Sequence, residues 1–304
     1  MRFSIWPNSG RTWDELLATA KFADAGGWHG LWCADHYMPN TDDGTVHDGP
    51  FHEVWALLPA LAASTERIRL GPLVSPTSVH HPALLANRAA SLDLISGGRF
   101  VLGLGAGWQV NEHRAYGIEL EEPARRVTRF EESIQIVRSL LDQPRTTFVG
   151  ECFTITDAPM NPKPAQAHLP ILVGTSGERM LRITARWADE WNTWGDPSTV
   201  ARNVAKLGAA CETVGRDPSS LARSAQALLF LAADDAAATA LRDRAPAERS
   251  IVGTPAQLVD IVGEYAAMGI GELIVPDFTL GRTQTEREDT YSTFWSEVAA
   301  AHPD

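Results

Sequence analysis

Cysteine is scarce: Cys33, Cys152 and Cys211 are the three in 304 residues, far apart and without metal-type spacing. A disulfide-stapled scaffold and a thiolate zinc knuckle are both excluded, and the usage matches a reduced, intracellular chain. Long apolar runs are also missing. None approaches the roughly 18 residues that a membrane-crossing helix needs. The opening segment MRFSIWPNSG has no extended apolar core, so it reads as a strand entering a loop and not as a signal peptide. Positive charge is in short supply, with 26 Lys and Arg against 38 Asp and Glu and a formal net charge of −12. Nucleic-acid binders rely on clustered Lys and Arg, so that class is excluded. A small anionic ligand stays open, because a few backbone N–H groups outweigh a distant net charge. The expected partner is a small molecule, with no nucleic acid, no membrane and a cytoplasmic setting.

Core material is plentiful: 44% of the residues are hydrophobic and 21% charged, which suits a folded chain and not a disordered one. Short β-type runs alternate with longer helical patterns. The strand candidates are residues 3–6, GLWCA, IRLGPLV, FVLGLGAG, PILVGTSG, DEWNTW, SAQALLFLA and ELIVP. Between them lie helical stretches such as TWDELLATAKFADAGG, with Thr12 as N-cap, and HPALLANRAASLDLIS, ended by Gly97 and Gly98. One interruption, TTFVGECFTITDAPMNPKP, reads as a small hairpin with a Pro-rich extension. Eight strands separated by helices call for parallel pairing, and a closed (β/α)₈ TIM barrel uses that count without leaving edges. A doubly wound open sheet is the rival. No linker divides the chain, so residues 1–304 are expected to form a single domain.

In such a barrel the loops after the strands share one face, and function belongs there. Asp35 and His36 follow the second strand. An imidazole titrates near neutrality and can give or take a proton; a loop His bonded to its own turn is the plainer alternative. GLGAGW has Trp108 where a dinucleotide fingerprint needs its last glycine, so a Rossmann site is excluded. Gly105 and Gly107 still offer bare backbone to a flat ring, or simply a tight turn. In VGTSGERML, residues 174–177 lie between a strand and a helix, where free N–H groups and the helix dipole favour an anion. Arg179 adds a charge one turn on. Helix capping by Ser176 and a solvated Arg179 make the competing reading. His36, His47, His52, His80 and His81 invite a metal, but no pair shows i,i+4 spacing with an acidic partner, so none is expected. Arg125, Arg126 and Arg129 against Glu131 and Glu132 read as a solvated helix face. Trp6, Trp108, Trp191 and Trp194 would gather near the mouth, suiting a planar ligand.

The runs GLWCADHY, RIRLGPLVSPTSVHHPALLANRAASLDLISGGRFVLGLGAGW, NPKP, PILVGTSGERMLRITARWADEWN and VGTPAQLVDIVGEYAAMGIGELIV carry a resemblance that extends nearly end to end. The chain resembles the luciferase-like monooxygenase superfamily, within it the actinobacterial coenzyme F420-dependent oxidoreductases. That resemblance implies a luciferase-like TIM barrel with an insertion after strand 4, matching the hairpin-like interruption. It implies that F420, or alternatively FMN, binds at the mouth, with His36 as proton donor or acceptor and Asp35 beside it. It implies a bulge against the ring at Leu73, Val74 and Ser75, with a non-prolyl cis bond at Leu73–Val74. Gly105, Ala106, Gly107 and Asn111 would hold the ring and its side chain, and Gly174, Thr175, Ser176 and Gly177 the phosphate. Trp6, Asn40, Trp108 and Trp194 fall in the substrate pocket. The family's sugar-phosphate dehydrogenases have Glu where this chain has Trp108 and Trp where it has Asn40, and no obvious cluster of Lys awaits a phosphorylated substrate. The leading expectation is therefore an F420-dependent oxidoreductase moving a hydride to or from an organic substrate other than glucose 6-phosphate. An FMN-dependent monooxygenase and a non-catalytic flavin-type binder are the alternatives, and a homodimer is the expected assembly.

Overall fold

The fold follows from where short apolar strands meet helix-starting residues. The computed structural model describes residues 1–303. Its strands and helices, in chain order, begin with β1 (Arg2–Trp6), α1 (Trp13–Ala25), β2 (Gly30–Cys33), α2 (Val54–Ala63), β3 (Arg69–Pro72), β4 (Ser75–Pro76) and α3 (Pro82–Ser96). Next come β5 (Leu102–Gly105), α4 (Val110–Ala115), α5 (Pro123–Asp142), β6 (Arg145–Val149), β7 (Thr154–Pro159), β8 (Ile171–Gly174) and α6 (Glu178–Trp187). Then follow β9 (Glu190–Trp194), α7 (Pro197–Val214), β10 (Ala222–Gln226), β11 (Leu228–Leu231), α8 (Asp235–Arg242) and β12 (Ser250–Gly253). The chain closes with α9 (Pro255–Ala267), β13 (Glu272–Pro276) and α10 (Gln284–Glu297).

Local chemistry sets many of these boundaries. Thr12 with Glu15, Thr254 with Gln257 and Thr283 with Glu286 form reciprocal capping boxes that satisfy otherwise orphaned N–H groups. Proline opens α3, α5, α7 and α9, where its missing N–H costs nothing. Gly97 and Gly215 end α3 and α7 in the left-handed conformation.

The parallel strands run in the order β3-β2-β1-β13-β10-β9-β8-β5-β4. β3 and β4 are two halves of one broken strand: Leu70 bridges to Phe100 at one end, while Ser75 and Pro76 pair with Leu104 and Gly105 at the other. The ring thus closes with eight strand positions, as the alternation predicts. The break holds a cis peptide bond at Leu73–Val74, at the expected place. β6 and β7 form the antiparallel insertion hairpin.

One strand differs from expectation. SAQALLFLA does not run on as a single barrel strand: β10 ends at Gln226, and β11 leaves to pair with β12 in a separate two-stranded sheet. Nine residues outrun the depth of a barrel whose strands are four or five long, so the surplus backbone takes a second partner. β12 itself carries no expectation from the sequence.

Two apolar layers result. Leu31, Cys33, Phe100, Leu102 and Trp191 face outward beneath the helices, where Leu58, Leu85, Phe130 and Ile134 meet them. Inside the barrel sit Trp6, Trp32, Leu73, Val101, Leu172 and Ile274. Burying each such side chain stabilises by about 1.5–3 kcal/mol. The barrel floor carries polar pairs: Trp32 Nε1 donates to Glu272 Oε1 at 2.9 Å, and Arg69 meets Glu190. Among the described residues no helix is long and apolar enough to cross a membrane.

Candidate active site

The interior apolar plug stops short of the C-terminal strand ends, leaving a cavity of about 910 Å³ at the mouth. Trp6, Asn40, Trp108 and Trp194, the expected substrate side, all line it, joined by Phe51 and Phe278. His36 lines it too, as do Leu73 and Val74 of the strand break. Gly105, Ala106 and Gly107 form one wall, and Gly174, Thr175 and Ser176 another. Trp191 does not belong here. It is fully buried on the outer face of β9 and donates through Nε1 to the Thr175 carbonyl at 2.8 Å. Alternation along β9 decides this, since neighbours three apart cannot share a face.

Asp35 and His36 separate. The Asp35 carboxylate is buried behind the wall, and its Oδ2 accepts from Ser75 Oγ and from Trp55 Nε1 at 3.1 Å, with His80 Nε2 at 2.8 Å. It therefore ties β2, β4 and α2 together and does not line the cavity, which corrects its assignment as a catalytic and cofactor-binding residue. Ser75 shares that buried network and is likewise off the wall. His36 turns the other way: Nδ1 lies 2.8 Å from Glu112 Oε1, and the ring packs edge-on against Trp108 and Phe51.

Glu112 comes from α4, a helix that sequence patterning missed because it is only six residues long. Its buried carboxylate also accepts from the Tyr37 amide at 2.7 Å. Its neighbours clamp the same loop: Gln109 Nε2 donates to the Met38 carbonyl at 2.9 Å. Asn111 Nδ2 donates to the carbonyls of Pro39 at 2.9 Å and Thr45 at 3.2 Å. Asn111 is thus a loop anchor, off the cavity wall, and not the cofactor contact expected of it. The polar cluster Gln109, Asn111 and Glu112 following GLGAGW was the available signal.

Gly107 has a positive φ of 88°, and a Cβ there would lie 2.0 Å from Ser78 Oγ, so only glycine lets this turn close. Arg126 donates to the Gly107 carbonyl, and Glu132 accepts from three successive amides, those of Glu151, Cys152 and Phe153. These two residues brace the site loop and the insertion hairpin and do not belong to a solvated face.

Residues 174–177 give a mixed result. The Thr175 amide is already bonded to the Asn192 carbonyl at 3.1 Å. Arg179 turns away to α5, where it donates to Thr128 and the Ala124 carbonyl. Ser176 does not cap α6; the N-cap is Gly177, with no side-chain hydrogen bond to the first turn. Gly177 is exposed and off the cavity wall, and its N–H donates to Thr175 Oγ1 at 3.3 Å. The uncapped amides of α6 are the anion donors that remain.

Basic groups arrive from elsewhere. Arg202 and Lys206, one helical turn apart on α7, line the cavity with Arg249, whose guanidinium sits 5.1 Å from the Trp194 ring; Glu248 lines it too and pairs with Arg202 at 3.2 Å. The sequence offers no cluster of Lys, and the cavity holds a single Lys beside two Arg brought together from segments distant in sequence. The candidate metal histidines disperse, His80 to Asp35 and His47 to the Gly49 amide.

These residues suit a flat, phosphate-bearing ring. The volume is of cofactor size, Leu73, Val74 and Ala106 supply an apolar bed, and the uncapped α6 terminus supplies anion donors.

Known proteins share this architecture. An F420-dependent hydroxymycolic acid dehydrogenase of Mycobacterium tuberculosis is 32% identical over 231 residues, 75% of this chain and 62% of that protein. An F420-dependent glucose-6-phosphate dehydrogenase of Amycolatopsis mediterranei is 32% identical over 178 residues, 58% of this chain and 51% of that one. The chain thus spans between half and two thirds of the length of these two relatives. The structure of coenzyme F420-dependent tetrahydromethanopterin reductase from Methanopyrus kandleri superposes with a TM-score of 0.83 at 18% identity, covering 99% of each chain, a likeness of fold. Residues 1–250 match the luciferase-like monooxygenase family. In sequence over most of its length, and in the broken-strand barrel which that sequence builds, this chain belongs to the luciferase-like monooxygenase family.

Proposed function

We propose that the chain, acting as one domain over residues 1–304, is an F420-dependent oxidoreductase in which His36 gives or takes a proton. The observation that carries this reading is the placement of His36. One ring nitrogen is tied to a buried carboxylate while the ring lines a cavity of cofactor size. The F420-dependent relatives at 32% identity support the choice of deazaflavin. F420, when bound, supplies a ring carbon that accepts or releases hydride. The protein's part is to bed the ring on Leu73, Val74 and Ala106, take the phosphate at the α6 amides, and hold His36 beside the substrate. Trp6, Asn40, Trp108 and Trp194 would bound that substrate, with Arg202, Lys206 and Arg249 favouring one that carries negative charge.

The test begins with fluorescence titration of the purified protein. F420 is expected to bind at least tenfold more tightly than FMN, about 1.4 kcal/mol. An FMN-dependent monooxygenase is the second reading, favoured by the family match itself; tight FMN binding with oxygen consumption would establish it instead. His36→Ala should leave F420 affinity intact and lower turnover of any alcohol found to reduce F420 by roughly 10² to 10⁴-fold. Parent-rate turnover by that variant would remove His36 from the chemistry. Free cysteines fit cytoplasmic operation. The exposed Leu84, Leu94 and Ile95 on α3 support a homodimer, which light scattering would refute by returning a monomer mass.

A further inference from the structure

Glu112 has no part in the reading above, yet its carboxylate is 2% exposed and both of its oxygens are spent on the His36 loop. The two contacts are not equivalent. The Tyr37 amide can only donate, so Oε2 must be an acceptor. His36 Nδ1 can be donor or acceptor, and its role is set by what Oε1 presents. A carboxylate presents lone pairs alone. We infer that Glu112 is a positioning residue that locks His36 as the Nδ1–H tautomer, leaving Nε2 with its lone pair toward the cavity.

This deepens the proton role proposed for His36 and rests on it. A neutral imidazole accepts a proton only at the nitrogen that carries none. When substrate O–H is the donor, the O–H bond breaks and an Nε2–H bond forms, and the positive charge on the ring is held by the carboxylate 2.8 Å from Nδ1. The reverse step breaks the Nε2–H bond and returns that proton to the same substrate oxygen. No hydrogen bond among the described residues engages Nε2, whereas Nδ1 is fully committed. The edge-on packing of Trp108 and Phe51, with ring centroids 5.6 and 6.2 Å from the imidazole, restricts rotation that would exchange the two nitrogens.

Glu112→Gln separates positioning from scaffolding. The fixed Tyr37 N–H donor claims the amide oxygen, which turns the amide NH₂ toward Nδ1 and forces the opposite tautomer, with little change of shape. The primary measurement is nitrogen-15 NMR of the histidine rings in the free protein, at a pH where His36 is neutral, with His36 assigned by its loss in His36→Ala. The wild type is expected to show a protonated Nδ1 and an unprotonated Nε2, and Glu112→Gln the reverse. Turnover of an alcohol that reduces F420 should fall in Glu112→Gln by about 10² to 10⁴-fold, with F420 affinity within about twofold of the parent. Glu112→Asp, which keeps the charge, should recover part of the rate.

An unprotonated Nδ1 in the wild type would overturn the inference, since Glu112 would then be the donor. That measurement needs no variant, so a Glu112→Gln protein that fails to fold does not shield the idea. An unchanged tautomer or an unchanged rate in a folded Glu112→Gln would overturn it as well. The two readings fail differently: parent-rate turnover by His36→Ala removes both, whereas an inactive His36→Ala beside a fully active Glu112→Gln removes this one alone.

Discussion

Asp35 and His36 are adjacent in the chain, and backbone alternation sends one into the wall and the other into the cavity. Asp35 is buried, and its Oδ2 meets three donors from separate elements while Oδ1 has no partner. Removing it leaves those donors unpaired, so Asp35→Ala should cost about 3 kcal/mol in urea unfolding. F420 affinity per folded molecule should change little, because the carboxylate does not line the cavity. A variant of parent stability with lost affinity would return Asp35 to the binding site. The Asp–His dipeptide was visible in the sequence as a candidate, but its division of labour was not. Two adjacent polar residues after a strand look alike until their partners arrive from β4, α2 and α4.

At the scale of elements, the barrel's closest approach lies between the broken strand and β5. A Cβ on Gly103 would sit 2.0 Å from the Pro72 carbonyl oxygen, a backbone atom that cannot step aside. Gly103→Ala should therefore cost about 3 kcal/mol or prevent folding, read by thermal melts and soluble yield. The α6 terminus allows a gentler probe. Glu178 is the first residue of α6, a position suited to proline, and no side chain caps its N–H. Glu178→Pro, measured against Glu178→Ala to account for the lost carboxylate, removes one N–H from the anion-binding end while leaving the helix start intact. F420 affinity should fall by about tenfold or more, the worth of one hydrogen bond to a charged group, with an unchanged melting temperature. Unaltered affinity would move the phosphate to the basic edge of Arg202, Lys206 and Arg249. That edge was hidden in the sequence because α7 and the segment before β12 contribute separately.

Over the whole molecule, several carboxylates are more acidic folded than free. Glu121 is pulled below its usual value chiefly by the hydrogen bond from Arg129. Burial pushes Asp24 and Asp196 up, but hydrogen bonds from the Glu66, Ile68 and Arg67 amides in the first case, and from Thr199 and Ser198 in the second, outweigh it. Such groups bind protons less readily in the folded state, so their contribution is full above the unfolded values and is lost as pH falls through the folded ones. Asp277 opposes them: burial raises it despite Arg11 and Arg287, so acidification relieves a cost there. Seven lowered carboxylates, with Glu15, Asp43, Asp217 and Glu286 joining those three, against one raised predict stability that declines once pH drops below about 4.5. Urea midpoints from pH 7 to 3 would show this, and a rise on acidification would contradict it.

Composition and periodicity alone determined the parallel eight-stranded plan, the caps of α1 and α3, the insertion hairpin and the set of loops that meet at the mouth. Those are consequences of local chemistry: strand length, capping residues and the helix needed for each crossover. Tertiary structure alone decided the pairing of His36 with Glu112, the burial of Asp35, the diversion of Asn111 to a loop and the joining of Arg202, Lys206 and Arg249. Each depends on contacts between residues tens of positions apart, and no local pattern encodes a distance that only the closed barrel sets.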